Sequence, residues 1–538
     1  MTLLHKTFLS LSAIIIIFSS SIGSAANAAP LYNDKGNMIA TVSRIAGNGM
    51  YGEQEGPALN SSFRQPTGLA IGEKNQLFVS DTGNHRIFKL SNGNTNTYAG
   101  PSSSLLVDTG GQPIGTLLNG NKLNAMFQSP AALAYSTDKS LYVADTANNA
   151  IRKISFTGEV TTVAGNGRIG ATDGKGKEAL FNHPQGIAVT KEGLIYVSDT
   201  LNHTIRKIMP DGTTTTLTAA SKRVVEIHPG FVSPAGDYKN GSIQQALFNE
   251  PTGLALDEKG NLYVSDSGNQ LIRYIDFSTN NVTTVAGQLH VKDNSIYDKH
   301  ELYASGGYTD GSSQMAAFHT PRGIVLDKTG GLLVADSLNN VIRYIKNGNV
   351  TTVSGSQTGE SGDQDGPERV ALFNSPQDVA ITSEGIIYVA DTGNNIIKKI
   401  SPYTLPTNMN KTSGINIVLE NKQIKFDTSP EIKSGRIMVP LRQIAEALRF
   451  NTTISSDGKS IHLEKGNRSI QLFLNSKKVL TSETSNTLQN KELDAAPYMK
   501  NSRTYVSLRF VAEELGIDVQ WVPTAGAAIL RNNITNEY

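Results

Sequence analysis

The chain of 538 residues contains no cysteine. This excludes disulfides, thiolate nucleophiles, cysteine-ligated zinc and a lipid-modified cysteine anchor. Charge is scarce at 18% of residues and nearly balanced, with 48 Lys and Arg against 47 Asp and Glu. No overall field is available to hold a polyphosphate, so a general nucleic-acid binder is not expected. No G-x-S-x-G elbow, H-E-x-x-H pair or P-loop occurs, and the nine histidines are scattered. Glycine is abundant, at 50 positions. Few charges and many turn formers suit an all-β chain of short strands, and the length calls for two or more domains.

Residues 1–28 read as a secretory signal peptide. Lys6 precedes an apolar run from Leu9 to Ile22, and Ala26-Asn27-Ala28 fits the small-x-small cleavage rule. That run is shorter than the roughly 20 residues needed to span a bilayer, so no transmembrane anchor is expected after cleavage. The expected location is extracellular or cell-wall associated, and export without cysteine suits a Gram-positive-type bacterium.

A repeat occupies residues 63–400. Its six copies open at Phe63, Phe127, Phe181, Phe248, Phe318 and Phe373, as in FNEPTGLALDEKGNLYVSDSGNQLIRYI. Each contains three strand-length apolar runs separated by turn chemistry, and a Thr/Val-rich fourth run usually follows. Four antiparallel strands per repeat predict a six-bladed β-propeller over residues 29–401. The sixth copy lacks its fourth strand. Met38 to Gly47 carries the missing pattern, so the N-terminal strand should close the ring and remove its free edge.

Asp81, Asp145, Asp199, Asp266, Asp336 and Asp391 end the second strands, each with an Asn three residues on. One carboxylate per blade on a wide circle is too dispersed for one cation, so these are read as structural turn residues. Arg152, Arg206, Arg273 and Arg343 recur seven residues later, with Lys398 in the sixth copy and Phe88 in the first. They are read as side chains packed between blades. His85 and His203 occupy a turn position held elsewhere by Asn or Gln and are likewise read as structural.

The P-x-G-[IL]-A, [IL]-Y-V-[SA]-D-[TS]-x-N and I-R-K-I segments resemble NHL repeats, and the Asp-Gly linkers resemble those of secreted bacterial NHL proteins. The resemblance implies a propeller that binds protein, RNA or carbohydrate, with a minority of family members being lyase-type enzymes. Ala132 and Asp378 depart from the pattern, which has Gly at both places.

Residues 402–413 form a Pro/Asn/Thr-rich connector, expected to separate two independently folding pieces. Beyond it, Pro430 to Leu448 aligns without a gap with Pro497 to Leu515. The duplication predicts a smaller α+β domain over 414–538, with Leu508, Val511, Ala512 and Leu515 on one helix face. This part resembles the stalk-type N-terminal domain of copper amine oxidases. That resemblance implies no oxidase activity, because the Asn-Tyr quinone motif and the His-x-His ligands are missing.

The connections from Pro101 to Met126, Ala219 to Leu247 and Gln288 to Ala317 exceed structural need. They carry Phe231, Tyr238, Tyr297, Tyr303 and Tyr308. They should share a face with the Asp-Thr-x-Asn hairpins. Residues after each repeat's Pro should ring the channel mouth there: Thr67, Ala131, Gln185, Thr252, Arg322 and Gln377, with Asp378 one step inside. The candidate ligand-binding residues are Arg322, Asp378, Gln185, Gln377, Tyr238, Tyr303 and Tyr308. Arg322 and Asp378, from neighbouring blades, either pair with each other or grip a polar ligand group. The leading expectation is a non-catalytic binding protein for a cell-wall carbohydrate or a protein partner, with no cofactor and no metal. The alternative is a metal-dependent lyase or lactonase with its site at the same mouth.

Overall fold

The computed structural model describes residues 31–101, 107–109, 113–291, 295–409, 414–482, 489–514 and 516–532. The expected signal peptide over residues 1–28, connector residues 410–413 and Leu515 lie outside them. Six five-stranded antiparallel sheets form the propeller. In blade one, Pro66–Ile71 is innermost, followed outward by Leu77–Asp81, Arg86–Ser91 and Asn94–Ala99. The fifth strand was not predicted by the repeat. A two-residue segment of the incoming connection (Gly56–Pro57 in blade one, Gly241–Ser242 in blade four) pairs with the outermost strand and covers its edge.

The cores lie between successive sheets. Ala188, Tyr196 and Ile205 of blade three pack with Phe248, Leu254 and Val264 of blade four. Strands buried on both faces explain the near-continuous apolar second runs. The innermost strands approach so closely that glycine is required. A Cβ on Gly186 would sit 1.8 Å from the Thr252 carbonyl oxygen, and one on Gly253 would sit 2.1 Å from that of Arg322.

The ring closes as expected. Ala40–Ala46 pairs with Ile396–Pro402, with Val42 opposite Ile400, and completes the sixth blade.

The repeated Asp is a structural hub. Asp145 Oδ1 accepts the Gln128 amide at 2.7 Å, while Oδ2 accepts Asn148 Nδ2 at 2.9 Å and Arg152 Nη1 at 2.6 Å. Arg152 then reaches the Met126 and Leu118 carbonyls and lies over the Phe127 ring. The recurring letters Phe, Asp, Asn and Arg are therefore one buried unit. The same three Asp contacts recur at Asp199, Asp266 and Asp336. Blade one corrects the sequence reading of Phe88. The charge is not dropped there: Arg86, two residues earlier on the same strand face, brings its Nε to 3.5 Å from Asp81 and lies over the Phe88 ring.

Two latches join each blade to the next. The turn residue after each Asn has left-handed backbone, from φ 46° at Asn149 to 59° at Gln270. Its side chain accepts an amide of the following blade: His85 from Ser129, Asn149 from His183, His203 from Glu250, and Asn395 from Gln65 across the closure. His, Asn and Gln interchange here because only an acceptor is needed. The hydroxyl after the Asp supplies the second latch at Thr82, Thr146, Thr200, Ser267 and Thr392, as in Thr146 Oγ1 to the Pro184 carbonyl at 2.7 Å, whereas Ser337 accepts Gln377 Nε2 of the next blade.

Among the described residues, the second domain contains three sheets and two seven-residue helices, Leu441–Ala447 and Leu508–Glu514. Its duplication appears as a pseudo-two-fold: Val439 pairs with Val506, Met438 with Ser507 and Pro440 with Tyr505. Leu508, Val511 and Ala512 are buried in one core with Ile444 and Leu448.

The connector does not hold the domains apart. Arg531 of the second domain, 2% exposed, bonds Glu368 Oε2 at 2.7 Å and Asp518 Oδ2 at 2.6 Å. It also donates to the Ala40 carbonyl, while Glu368 accepts the Ala40 amide at 2.9 Å. Gln520 bonds Glu368, Arg369 pairs with Asp518, and Ile39 is fully buried with Val522 and Ile529. The closing strand is thus gripped from both sides. The expected separation into two pieces meets a buried joint.

Candidate functional site

The innermost strands enclose an axial channel with a cavity of about 420 Å³. Thr67, Ala131, Gln185, Thr252, Arg322, Gln377 and Asp378 all line it, as the position after each Pro requires. Below this polar rim the walls carry Leu69, Leu133, Ile187, Leu254, Ile324 and Val379.

The rim groups are engaged unequally. Thr67 bonds Thr82 and Thr252 bonds Ser267, both at 2.6 Å, and Gln377 Nε2 donates to Ser337 Oγ at 3.0 Å. Arg322 and Asp378 do not pair. Asp378 Oδ2 accepts the Leu69 amide and Oδ1 the Val379 amide, each at 2.8 Å. Its carboxylate fills space that glycine leaves open elsewhere, and a Cβ on Gly323 would lie 2.0 Å from its Oδ1. Burial pushes the Asp378 carboxyl up to about 7, against the pull of those two amides.

Arg322 points across the mouth instead. Nη1 donates to Gln185 Oε1 at 2.9 Å, spanning from blade five to blade three. Nε is buried without a partner. Among the described residues, no carboxylate lies within ion-pair distance of it. Glu250, beside the rim in blade four, accepts the Tyr303 hydroxyl at 2.8 Å. The position before each Pro holds an acid only at Glu250. That irregularity was readable in the sequence and was missed.

The long connections interlock on this face. Arg223 lies 3.6 Å from the Tyr297 ring centroid and donates to the Glu301 and Leu302 carbonyls. Tyr297 bonds Asn269, so it is part of the scaffold. The hairpin Val224–His228 with Phe231–Pro234 leaves Val224, Phe231 and Val232 more than half exposed. Tyr303 stands at the rim. Tyr238 and Tyr308 do not: they lie over Arg273 and Arg343, and their hydroxyls bond Thr284 and Thr352 of outermost strands. His85 and His203 spend Nδ1 on the latches, and burial depresses both, His203 to about 4.

The NHL repeat family matches residues 63–90, 181–208, 248–273 and 373–400. The copper amine oxidase N-terminal domain matches residues 418–530. The chain carries NHL repeats on a propeller, with a copper amine oxidase N-terminal domain behind it. The NHL ring nevertheless has six blades, because the copies from Phe127 and Phe318 form the same sheets as the four matched ones.

NHL repeat-containing protein 2 of Gallus gallus is 31% identical over 344 residues, covering 60% of this chain and 44% of the bird protein. Teneurin-4 of Mus musculus is 27% identical over 318 residues, covering 55% of this chain and 10% of that one. The chain spans about half or less of the length of the curated relatives it matches. A solved auxiliary nutrient binding protein from Bacteroides ovatus superposes with a TM-score of 0.47 at 15% identity, over 70% of this chain and 83% of that one.

Proposed function

We propose that the protein is an exported, non-catalytic binding protein whose NHL propeller receives a ligand end at the channel mouth. The partner is a cell-envelope polymer or a protein, and the copper amine oxidase N-terminal-type domain anchors or spaces the propeller. The carrying observation is the rim itself: Arg322, Gln185 and Gln377 converge where a cavity opens, the Glu250–Tyr303 pair stands next to that rim in sequence at Pro251, and Arg322 has no ion-pair partner among the described residues. The recurrent Asp and Arg charges are consumed by the scaffold in the buried hubs. A volume of about 420 Å³ falls in the range of small-ligand pockets and is too small for a folded surface, so an end or a side group enters. The leader-like residues 1–28 support export.

The test is binding of the purified chain to isolated cell envelopes, comparing Arg322→Gln and Gln377→Ala with Lys259→Ala in an opposite-face turn. Loss with the first two alone supports the assignment, and loss with Lys259→Ala opposes it. Elemental analysis separates the enzyme alternative, because one tightly held metal per chain after dialysis would favour a lyase or lactonase.

A further inference from the structure

Arg322 differs from the other ring arginines of the propeller in one respect. Arg86, Arg152, Arg206, Arg273 and Arg343 are buried, and each has a carboxylate within ion-pair distance. Arg322 has a neutral amide alone. Its Nη1 is held by Gln185, which leaves the Nε/Nη2 edge free; a buried Nε without an acceptor is shared with Arg152, Arg206, Arg273 and Arg343, so the missing carboxylate is what sets Arg322 apart. The free edge is the one that takes a carboxylate side-on with two parallel hydrogen bonds.

We propose that the channel mouth recognises a single carboxylate carried on a compact apolar group, such as the C-terminal residue of a peptide, with Arg322 as its counter-ion. This rests on the mouth being the binding site. Two neighbours limit the charge accepted. Glu250 and Asp378 flank Arg322, their oxygens already engaged by Tyr303 and by backbone amides. Glu250 repels a second negative charge, and Asp378 adds to that repulsion as it ionises near pH 7, which disfavours phosphate and sulfate. The wall beneath is apolar, with Leu254, Ile324 and Val379 nearest the Arg322 side. These side chains offer an aliphatic group a place out of water beneath the polar rim.

Isothermal titration of the full chain with N-acetylvalylleucine, its C-terminal amide, glucuronate and inorganic phosphate tests this. The acid should bind at least tenfold more tightly than the amide, and phosphate should not compete. Arg322→Gln should abolish the acid-over-amide preference, and Arg322→Lys should retain part of it. Equal binding of acid and amide would overturn the carboxylate inference while leaving the mouth reading intact. A preference that survives Arg322→Gln, binding of glucuronate alone, or binding of none of the four probes would also overturn it. The mouth reading fails separately, if the mouth variants leave envelope binding unchanged.

Discussion

Replacing Arg531 with Met should weaken both domains at once. The guanidinium neutralises Glu368 and Asp518, all three being almost fully buried. Removing one partner of a buried ion pair typically costs about 3–5 kcal/mol, because the other charge remains unpaired in a poor solvent for it. Arg369 still faces Asp518, but Glu368 keeps only Gln520 and the Ala40 amide. The loss is a large part of a typical net stability of about 5–15 kcal/mol. It falls on the closing strand, since Arg531 and Glu368 both hold Ala40. Denaturant titration can read the domains separately. Trp521, the single tryptophan, reports the second domain by fluorescence, and far-UV circular dichroism is dominated by the propeller. Both midpoints should fall together in Arg531→Met. Deleting residues 414–538 should also lower the propeller midpoint, since Ile39 returns to water at about 1.5–3 kcal/mol and Glu368 loses its cation. A shift in the Trp521 transition alone, with the propeller unmoved, would refute the clamp.

Other expectations follow from the hubs and latches. His203→Asn should hold the latch without a titrating ring. His203 titrates near 4 when folded and near 6.5 when unfolded, so the native state binds fewer protons in that window. Wild type should therefore lose stability relative to His203→Asn as pH falls from about 6.5 to 4, and parallel melts would expose equal slopes if this is wrong. Asp378 has the opposite sign: its folded value of about 7 lies above the unfolded one, so stability drains away as pH rises through that window. Asp378→Asn should melt higher than wild type above pH 7 and converge with it near pH 4. Arg86→Ala strands the buried Asp81 and should cost about 3–5 kcal/mol by chemical denaturation. An effect below 1 kcal/mol would show that Arg86 is not the blade-one equivalent of Arg152.

The six blades, the ring closure and the duplicated second domain were legible because each is written as repetition, and repeated apolar spacing dictates repeated strands. The ring of positions after each Pro was legible for the same reason. What the sequence hid depends on direction and reach. The i+7 alignment placed Phe88 in the Arg column, yet strand alternation let Arg86 serve from two residues away. Tyr238 and Tyr308 looked like free loop aromatics, but the arginines beneath them offered cationic faces to stack on. The joint at Arg531, Glu368 and Asp518 joins segments over 160 residues apart, and neither local pattern nor the polar connector signals it. Arg322 and Asp378 lay on neighbouring strands, yet the guanidinium spans the channel while the carboxylate is captured by two amides.

The most direct test of the channel-mouth account is hydrogen–deuterium exchange on the full chain, with and without N-acetylvalylleucine. The account predicts slowed exchange in peptides covering 183–187, 248–254, 300–305, 319–324 and 375–380, with the turns around Lys191 and Lys259 and the second domain unchanged. Protection confined to those turns or to residues 414–532, with the five mouth peptides unaltered, would contradict it.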